Sequence, residues 1–349
     1  PPRSTLFPYT TLFRSENFYI SGAEQYGYGG AMRNTAGNNT LNGWIKIFGS
    51  SARIGVNGGN LTLNGLIERA DASTSPMLVL NPGTGLLITS NRVDLGTGSI
   101  NFHSGGTVWL CATGNVWTGY EQIQYGCTVR LGVDDALPTG MKLTLGNSTP
   151  GNGRFDLYGY AQTVGGLLQY GTSDSYPNNL IRNTRAGVQG TLTVSQASGV
   201  SDLFSGRIIE GVDLVKDGAA NSVLTLAGTN SFTGCARVAG GTLAVASAGT
   251  LGSGCTNVTV TAGTLSLQSS VALSDGATLC LEEGGGATVN LAGGVDQSVA
   301  YLFIGGKMQR AGTYGSMSSA AANRSDVYFS GTGVLTVRLD NSGTLLKLQ

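Results

Sequence analysis

The side chains suited to acid–base chemistry are few in this sequence, and their spacing does not assemble a catalytic group. His103 is the only histidine of the 349 residues, and the stretch NFHSGG around it lacks the serine and aspartate of a triad. We therefore expect a solvated or turn histidine. Adjacent carboxylates occur only at Asp134 with Asp135 and at Glu282 with Glu283. Since neighbouring residues of a strand point to opposite faces, neither pair predicts a dyad, and we expect both in surface loops.

Cysteine and glycine patterns do not indicate metal or nucleotide binding. The cysteines are too widely spaced for a C-x-x-C metal site, and we expect them to act as small hydrophobic residues of the interior; they are Cys111, Cys127, Cys235, Cys255 and Cys280. Glycine-rich stretches such as GYGYGG lack the Lys-Ser/Thr of a phosphate-binding loop. The sequence therefore predicts no catalytic, cofactor-binding or metal-ligating residue, and no cofactor.

Aromatic and charged residues indicate little about a partner. Trp44, Trp109 and Trp117 could stack on sugar rings, but we expect scattered aromatics of this kind to fill the interior or cap its ends. The 20 basic and 20 acidic residues cancel and are scattered along the chain. No basic stripe is present for a phosphate backbone, so nucleic acid is not an expected partner.

The elements that would position these residues are short strands. The chain has 56 glycines and only 11% charged residues, against about 25% charged residues in an average domain. Segments such as NLTLNG (60–65), KLTLGN (142–147), VLTLAG (223–228) and TLSLQ (264–268) alternate aliphatic residues with small polar ones. Period two predicts strands with one buried face. Helical periodicity is weak throughout, and residues 318–327 are the best helical candidate.

An internal repeat favours a solenoid over a sandwich. The motif Asn-x-Trp/Phe-Thr-Gly occurs twice. The first copy contains Asn115, Thr118 and Gly119, and the second contains Asn230, Thr233 and Gly234. An alternating strand and a loop ending in Leu-x-x-Gly follow each copy. Because a solenoid carries internal repetition and a sandwich need not, the pattern predicts a chain that coils around its own apolar core.

The second copy resembles the repeat of autotransporter-associated β-strand repeat proteins. The matching segments are DLVKDG (213–218), LTLAG (224–228), TNSFTG (229–234), GGTLAVA (240–246) and GTLGSG (249–254). The resemblance implies a right-handed, single-stranded parallel β-helix. It also implies structural roles in the repeat for Asn115, Thr118, Gly119, Asn230, Thr233, Gly234, Gly241, Thr242 and Leu243. Cys235 departs from the pattern, which has glycine there. If any disulfide forms, we expect Cys235 with Cys255, about one coil apart.

Three regions are expected along the chain. Residues 5–15, TLFPYTTLFRS, resemble the translation of a short-read sequencing adapter, so we set residues 1–15 apart as an artefact. Residues 16–297 are expected to form the parallel β-helix with its repeats. Residues 298–349 are expected to cap it, because 312–337 is similar to the terminal element of the same family.

The resemblance implies a secreted or cell-surface structural passenger of a Gram-negative bacterium, a stalk, display scaffold or adhesin without catalysis. It implies association with the outer membrane only through a translocator absent from this sequence, and a surface glycan or protein as ligand. Two alternatives stay open: a β-helical polysaccharide lyase or hydrolase, which would need clustered outward carboxylates, and a glycan-binding module, which would need exposed aromatics along one face.

Overall fold

The computed structural model describes residues 15–22, 31–147, 152–170 and 178–340. The adapter-like residues therefore lie outside the described part, except for Ser15. The chain divides into two compact units, Pro1–Asp156 and Leu157–Gln349, and each is considered by itself. None of the described residues forms an α-helix, and none belongs to a helix that could cross a membrane.

The first unit is built of strands. Their bounds are β1 Phe18–Gly22, β2 Met32–Asn34, β3 Asn38–Leu41, β4 Ile45–Val56, β5 Asn60–Leu63, β6 Ile67–Arg69, β7 Met77–Asn81, β8 Leu86–Thr89, β9 Val93–Gly96, β10 Ser99–Phe102, β11 Thr107–Leu110, β12 Val116–Trp117, β13 Glu121–Ile123, β14 Thr128–Leu131, β15 Lys142–Leu145 and β16 Arg154–Asp156. One sheet has the order β12-β9-β6-β4-β7-β10-β13-β15, with β1 and β2 also paired to β4, and a second has the order β16-β14-β11-β8-β5-β3.

The second unit continues the same construction. Its strands are β17 Ala161–Val164, β18 Gly166–Gln169, β19 Leu180–Arg182, β20 Gly190–Gln196, β21 Ser201–Phe204, β22 Arg207–Glu210, β23 Val212–Gly218, β24 Val223–Leu226, β25 Ser231–Phe232, β26 Ala236–Val238, β27 Thr242–Val245, β28 Asn257–Val260, β29 Thr264–Leu267, β30 Thr278–Leu281, β31 Thr288–Leu291, β32 Asp296–Val299, β33 Tyr301–Ile304, β34 Lys307–Met308, β35 Gly312–Gly315, β36 Asn323–Arg324, β37 Phe329–Gly331 and β38 Val334–Val337. The sheets run β17-β20-β23-β26-β28-β30-β33-β34, β21-β24-β27-β29-β31-β37, β19-β22-β25 and β32-β38-β35-β36.

Each unit is a parallel β-helix, which confirms the predicted fold class. Strands that neighbour each other in a sheet come from successive coils and pair in parallel, so that Val223 pairs with Thr242 and Thr242 with Thr264. Two antiparallel pairs lie among the last strands, β33 with β34 and β35 with β38. A chain that returns to the same position after each coil needs no helix to cover its sheets, because the opposite wall of the coil does so.

The core consists of inward rows of aliphatic residues that stack from coil to coil. In the second unit one such row crosses five paired strands and is almost completely buried: Leu224, Leu243, Leu265, Val289 and Phe329. Alternating positions such as Thr225 and Ser330 are half-buried or exposed, which is why the alternation was visible in the sequence. Burial of these rows supplies the main stabilisation of each coil.

The helix expected at residues 318–327 is wrong. The segment forms turns around the short strand β36. Serine side chains of the segment form hydrogen bonds with nearby backbone groups: Ser319 Oγ donates to the carbonyl of Ser316, and Ser325 Oγ accepts from the N–H of Val327. Such side-chain bonds compete with helical hydrogen bonds and favour turns.

Candidate functional site

The asparagine of the first motif copy is a buried connection between coils. Asn115 is 6% exposed. Its Oδ1 accepts from the backbone N–H of Val93 at 2.6 Å, and its Nδ2 donates to the carbonyl of Ala136 at 2.7 Å. Val93 lies 22 residues earlier and Ala136 21 residues later. One side chain therefore satisfies backbone groups of the preceding and following coils.

The asparagine of the second copy makes the same connection. The Oδ1 of Asn230, which is 3% exposed, accepts from the N–H of Ile208 at 2.8 Å. Its Nδ2 donates to the carbonyl of Thr250 at 2.6 Å. Since buried backbone groups must be paired, a residue with both a donor and an acceptor is needed at this corner, and asparagine supplies both within a short side chain.

The threonine and glycine of the motif follow the same coil-to-coil geometry. The N–H of Thr118 donates to the carbonyl of Gly96, and the N–H of Thr233 donates to the carbonyl of Glu210. At Gly234 a Cβ atom would collide with the carbonyl oxygen of Val212 in the neighbouring coil. Glycine at the end of the motif thus allows the close approach of two backbones.

The remaining motif residues hold the next strand in place. Gly241 has a φ of +67°, a conformation that favours glycine. Thr242 pairs with Val223 and Thr264, and Leu243 is completely buried. The structure places these residues in the wall of the β-helix.

His103 lies in the bend between β10 and β11, as expected for a turn histidine, but its ring is half-buried and packed. Its Nδ1 lies 2.8 Å from Ser104 Oγ, and its ring centre lies 4.4 Å from that of Tyr125. Burial, with a smaller contribution from the Arg53 charge, lowers the pKa of His103 to about 4. The imidazole is therefore neutral at physiological pH.

The acidic pairs lie where expected, and the cysteines do so in part. Asp134, Asp135, Glu282 and Glu283 are all exposed. The described residues contain no group of three or more His, Cys, Asp or Glu side chains placed to hold a metal ion.

All five cysteines are free thiols, including Cys235 and Cys255, the pair expected to bond if any disulfide formed. Cys127 and Cys255 are buried, and burial raises the pKa of both thiols, whereas Cys235 is exposed.

Trp117 fills the interior as expected, whereas Trp44 and Trp109 do not. Trp117 is 1% exposed. Trp44 and Trp109 are half-buried on the outer side of the wall, where each ring lies near a cation. Lys46 Nζ is 5.1 Å from the centre of the Trp44 ring, and the guanidinium of Arg130 is 5.8 Å from that of Trp109. These outward rings gain a cation–π contact in place of burial.

Sequence reasoning missed a carboxyl group inside the core. Glu121 is 1% exposed, and its Oε2 accepts from the indole N–H of Trp117 at 2.9 Å. Its Oε1 is buried without a hydrogen-bond partner among the described residues. Burial raises the pKa of Glu121 to about 8, and the bond from Trp117 opposes this only in part. Ile123 lies two residues later on the same strand, and residues two apart share a face of the strand. An inward Ile123 therefore indicates an inward Glu121.

A buried amine was also missed. Lys216 Nζ donates to the Oγ of Ser222 at 2.9 Å and to the carbonyl of Asp217 at 2.6 Å, with Gly240 as a further acceptor at 3.2 Å. Burial lowers the pKa of Lys216 to about 8, although the negative charges of Asp217 and Asp202 act to raise it. The ammonium satisfies backbone carbonyls at a corner, as the motif asparagines do.

A cleft of about 560 Å³ lies on the surface of the second unit. Residues 182–189, Glu210, Gly211 and Thr233 line it, and they come from three successive coils. Sequence reasoning missed all of these residues except Thr233, because they come together only when the coils stack.

Two arginines give the cleft its charge. Arg182 forms an ion pair with Glu210, with 2.7 Å between its Nη2 and Oε1. Arg185 is exposed, and its guanidinium lies 6.0 Å from the centre of the Tyr160 ring. Among the described residues, no carboxylate pairs with Arg185. Within the described part of the chain, the positive charge of Arg185 therefore has no acidic partner.

The loop that carries Arg185 is fixed from both sides. Asn183 Oδ1 accepts from the N–H of Gly159 at 2.6 Å, and its Nδ2 donates to the carbonyls of Val188 and Gly211. Glu210, across the cleft, has a φ of +64°. This conformation is unfavourable for a residue with a side chain, and such strain often occurs at functional sites.

These features define the class of protein, a parallel β-helix with a polar cleft on its second unit. Comparison with protein-family models, with curated proteins and with solved structures found no match to this chain.

Proposed function

We propose that this chain is a structural passenger module of the autotransporter type, a β-helix that displays or spaces other elements at the surface of a Gram-negative cell without catalysis. The observation that carries the proposal is the equivalence of Asn115 and Asn230. Each bonds to backbone of the coils on both sides, and each does so in a motif copy that resembles the passenger repeat. A buried polar connection repeated in this way serves to stack coils.

The composition of the wall supports the same function. Its outward positions are mostly small polar residues, and its inward rows are aliphatic. A chain of this kind can fold as it emerges from a membrane, since each new coil packs on the coil already formed. The family assignment and the surface location rest on the sequence resemblance.

Surface display tests the proposal. The full chain would be produced in a Gram-negative host between a secretion signal and an outer-membrane translocator barrel. We expect antibody to label it on intact cells, and we expect the displayed chain to resist a protease concentration that digests an unfolded control. The Asn230→Ala variant should become protease-sensitive, whereas Asn257→Ala, at an exposed strand position, should not. Retention of the wild-type chain inside the cell, or digestion at the surface as fast as the unfolded control, would contradict the proposal.

A further inference from the structure

We propose that the cleft around Arg185 binds a carboxylate-bearing sugar unit of an acidic glycan. The proposal concerns a binding site on the wall and stands whether or not the chain is a passenger. It goes beyond a scaffold role because it gives the second unit a ligand of defined chemistry.

The charge at the cleft selects for an anion. Arg182 is already paired with Glu210, whereas no carboxylate of the described residues pairs with Arg185, whose guanidinium can therefore meet a ligand. Guanidinium groups bind carboxylates through two parallel hydrogen bonds, a geometry that lysine cannot reproduce. The paired Arg182 and Glu210 offer a further donor and acceptor to neighbouring hydroxyl groups.

Arg185 is positioned before any ligand arrives. A Cβ atom on Gly159, whose φ is +83°, would lie 2.7 Å from Arg185 Cδ, so glycine leaves room for the arginine stem. The Tyr160 ring lies near the guanidinium, and Asn183 ties the loop to coils on both sides. An arginine held in this way loses less conformational entropy on binding.

The lining favours a sugar over a peptide. Polar side chains of Thr184, Gln189 and Thr233 line it, and Val188 is its largest apolar side chain. Tight peptide sites use buried aromatic or aliphatic anchors, which this cleft does not offer. Its volume of about 560 Å³ falls within the range of small-ligand sites, about 300–1,000 Å³. A ring with several hydroxyls and one carboxylate matches this combination.

Binding of oligogalacturonate to the full chain, measured by isothermal titration calorimetry, tests the assignment. We expect saturable binding that weakens with added salt and is lost when the same oligosaccharide is methyl-esterified. Arg185→Ala should weaken binding about tenfold or more, the loss expected for a charged hydrogen-bonded pair. Arg237→Ala is the matched control, because Arg237 is an exposed arginine of the same unit that does not line the cleft.

Several results would overturn the assignment. These are no binding by the wild-type chain, equal binding of the esterified ligand, or unchanged affinity of Arg185→Ala with a wild-type circular dichroism spectrum. Competition by sulfate as effective as that by galacturonate would show a general anion site and would also overturn it. Arg185→Lys should restore only part of the affinity, because it keeps the charge but not the paired hydrogen bonds.

Discussion

Replacing Glu121 by glutamine should make the first unit more stable at alkaline pH. In the folded chain the pKa of Glu121 is raised from 4.5 to about 8 by burial. The unfolded chain therefore releases this proton near pH 4.5, while the folded chain holds it until about pH 8. Between these values the unfolded state binds fewer protons, so the free energy of unfolding falls as the pH rises.

The size of the effect follows from this interval. At about 1.4 kcal/mol for each pH unit crossed, ionisation of Glu121 costs at most about 5 kcal/mol above pH 8 and nothing below pH 4.5. Glutamine is uncharged at all pH values and keeps an oxygen that can accept from Trp117. The stability of Glu121→Gln relative to the wild type should therefore rise by several kcal/mol from pH 4.5 to pH 8.

Guanidinium denaturation followed by circular dichroism between pH 4 and pH 9 measures this difference. Hydrogen exchange of the peptide that spans β13 reports the same change locally. Glu282→Gln is the control, since it makes the same change at an exposed glutamate. Parallel profiles for the wild type and Glu121→Gln would refute the reasoning, because they would show that Glu121 ionises alike in the folded and unfolded chains.

Four further predictions follow from the same structure. Asn230→Ala leaves backbone groups of two adjacent coils unpaired and should cost about 3 kcal/mol, at about 1–3 kcal/mol for each buried group, whereas Asn257→Ala should change the denaturation midpoint little. The lowered pKa of His103 means that the unfolded state binds an extra proton between about pH 6.5 and pH 4. As the pH is lowered from about 6.5 to about 4, the free energy of unfolding of the wild type should therefore fall more steeply than that of His103→Gln. Equal slopes for the two proteins would contradict this prediction. Deletion of residues 1–15 should leave the thermal midpoint unchanged, because their sequence resembles an adapter; a drop of several degrees would mean that they belong to the fold. The purified chain should release no reducing ends or unsaturated sugars from pectin or alginate, and turnover abolished by one outward acidic substitution would favour the enzyme alternative.

The wall of the β-helix could be predicted because its signal is local and repeated. Alternation at Leu224 and Leu226 and again at Leu243 and Val245 marks the inward face directly. The spacing of the two asparagine motifs then favours a solenoid, since equivalent corners need equivalent residues. Right-handedness stays a prediction from the family resemblance.

The cleft could not be predicted because it depends on stacking. Arg185, Glu210 and Thr233 lie on different coils, and no sequence motif links them. Glu121 was missed for another reason: it is an isolated carboxylate in the sequence, and only its register with the apolar Ile123 indicates that it lies inside. At residues 318–327 the helical interpretation failed because serine side chains stabilise turns there.

Cross-linking between β20 and β23 tests the parallel stacking of coils most directly. The register pairs Thr191 with Asp213 and Ser195 with Asp217, all on the outer side of the wall. Cysteine pairs at these positions lie about 5 Å apart, whereas the crossed pairs, 191 with 217 and 195 with 213, lie about 14 Å apart. With a short bis-thiosulfonate reagent and peptide mapping by mass spectrometry, we predict links in both register pairs and none in the crossed pairs. Links in the crossed pairs instead would show antiparallel strands and contradict the β-helix.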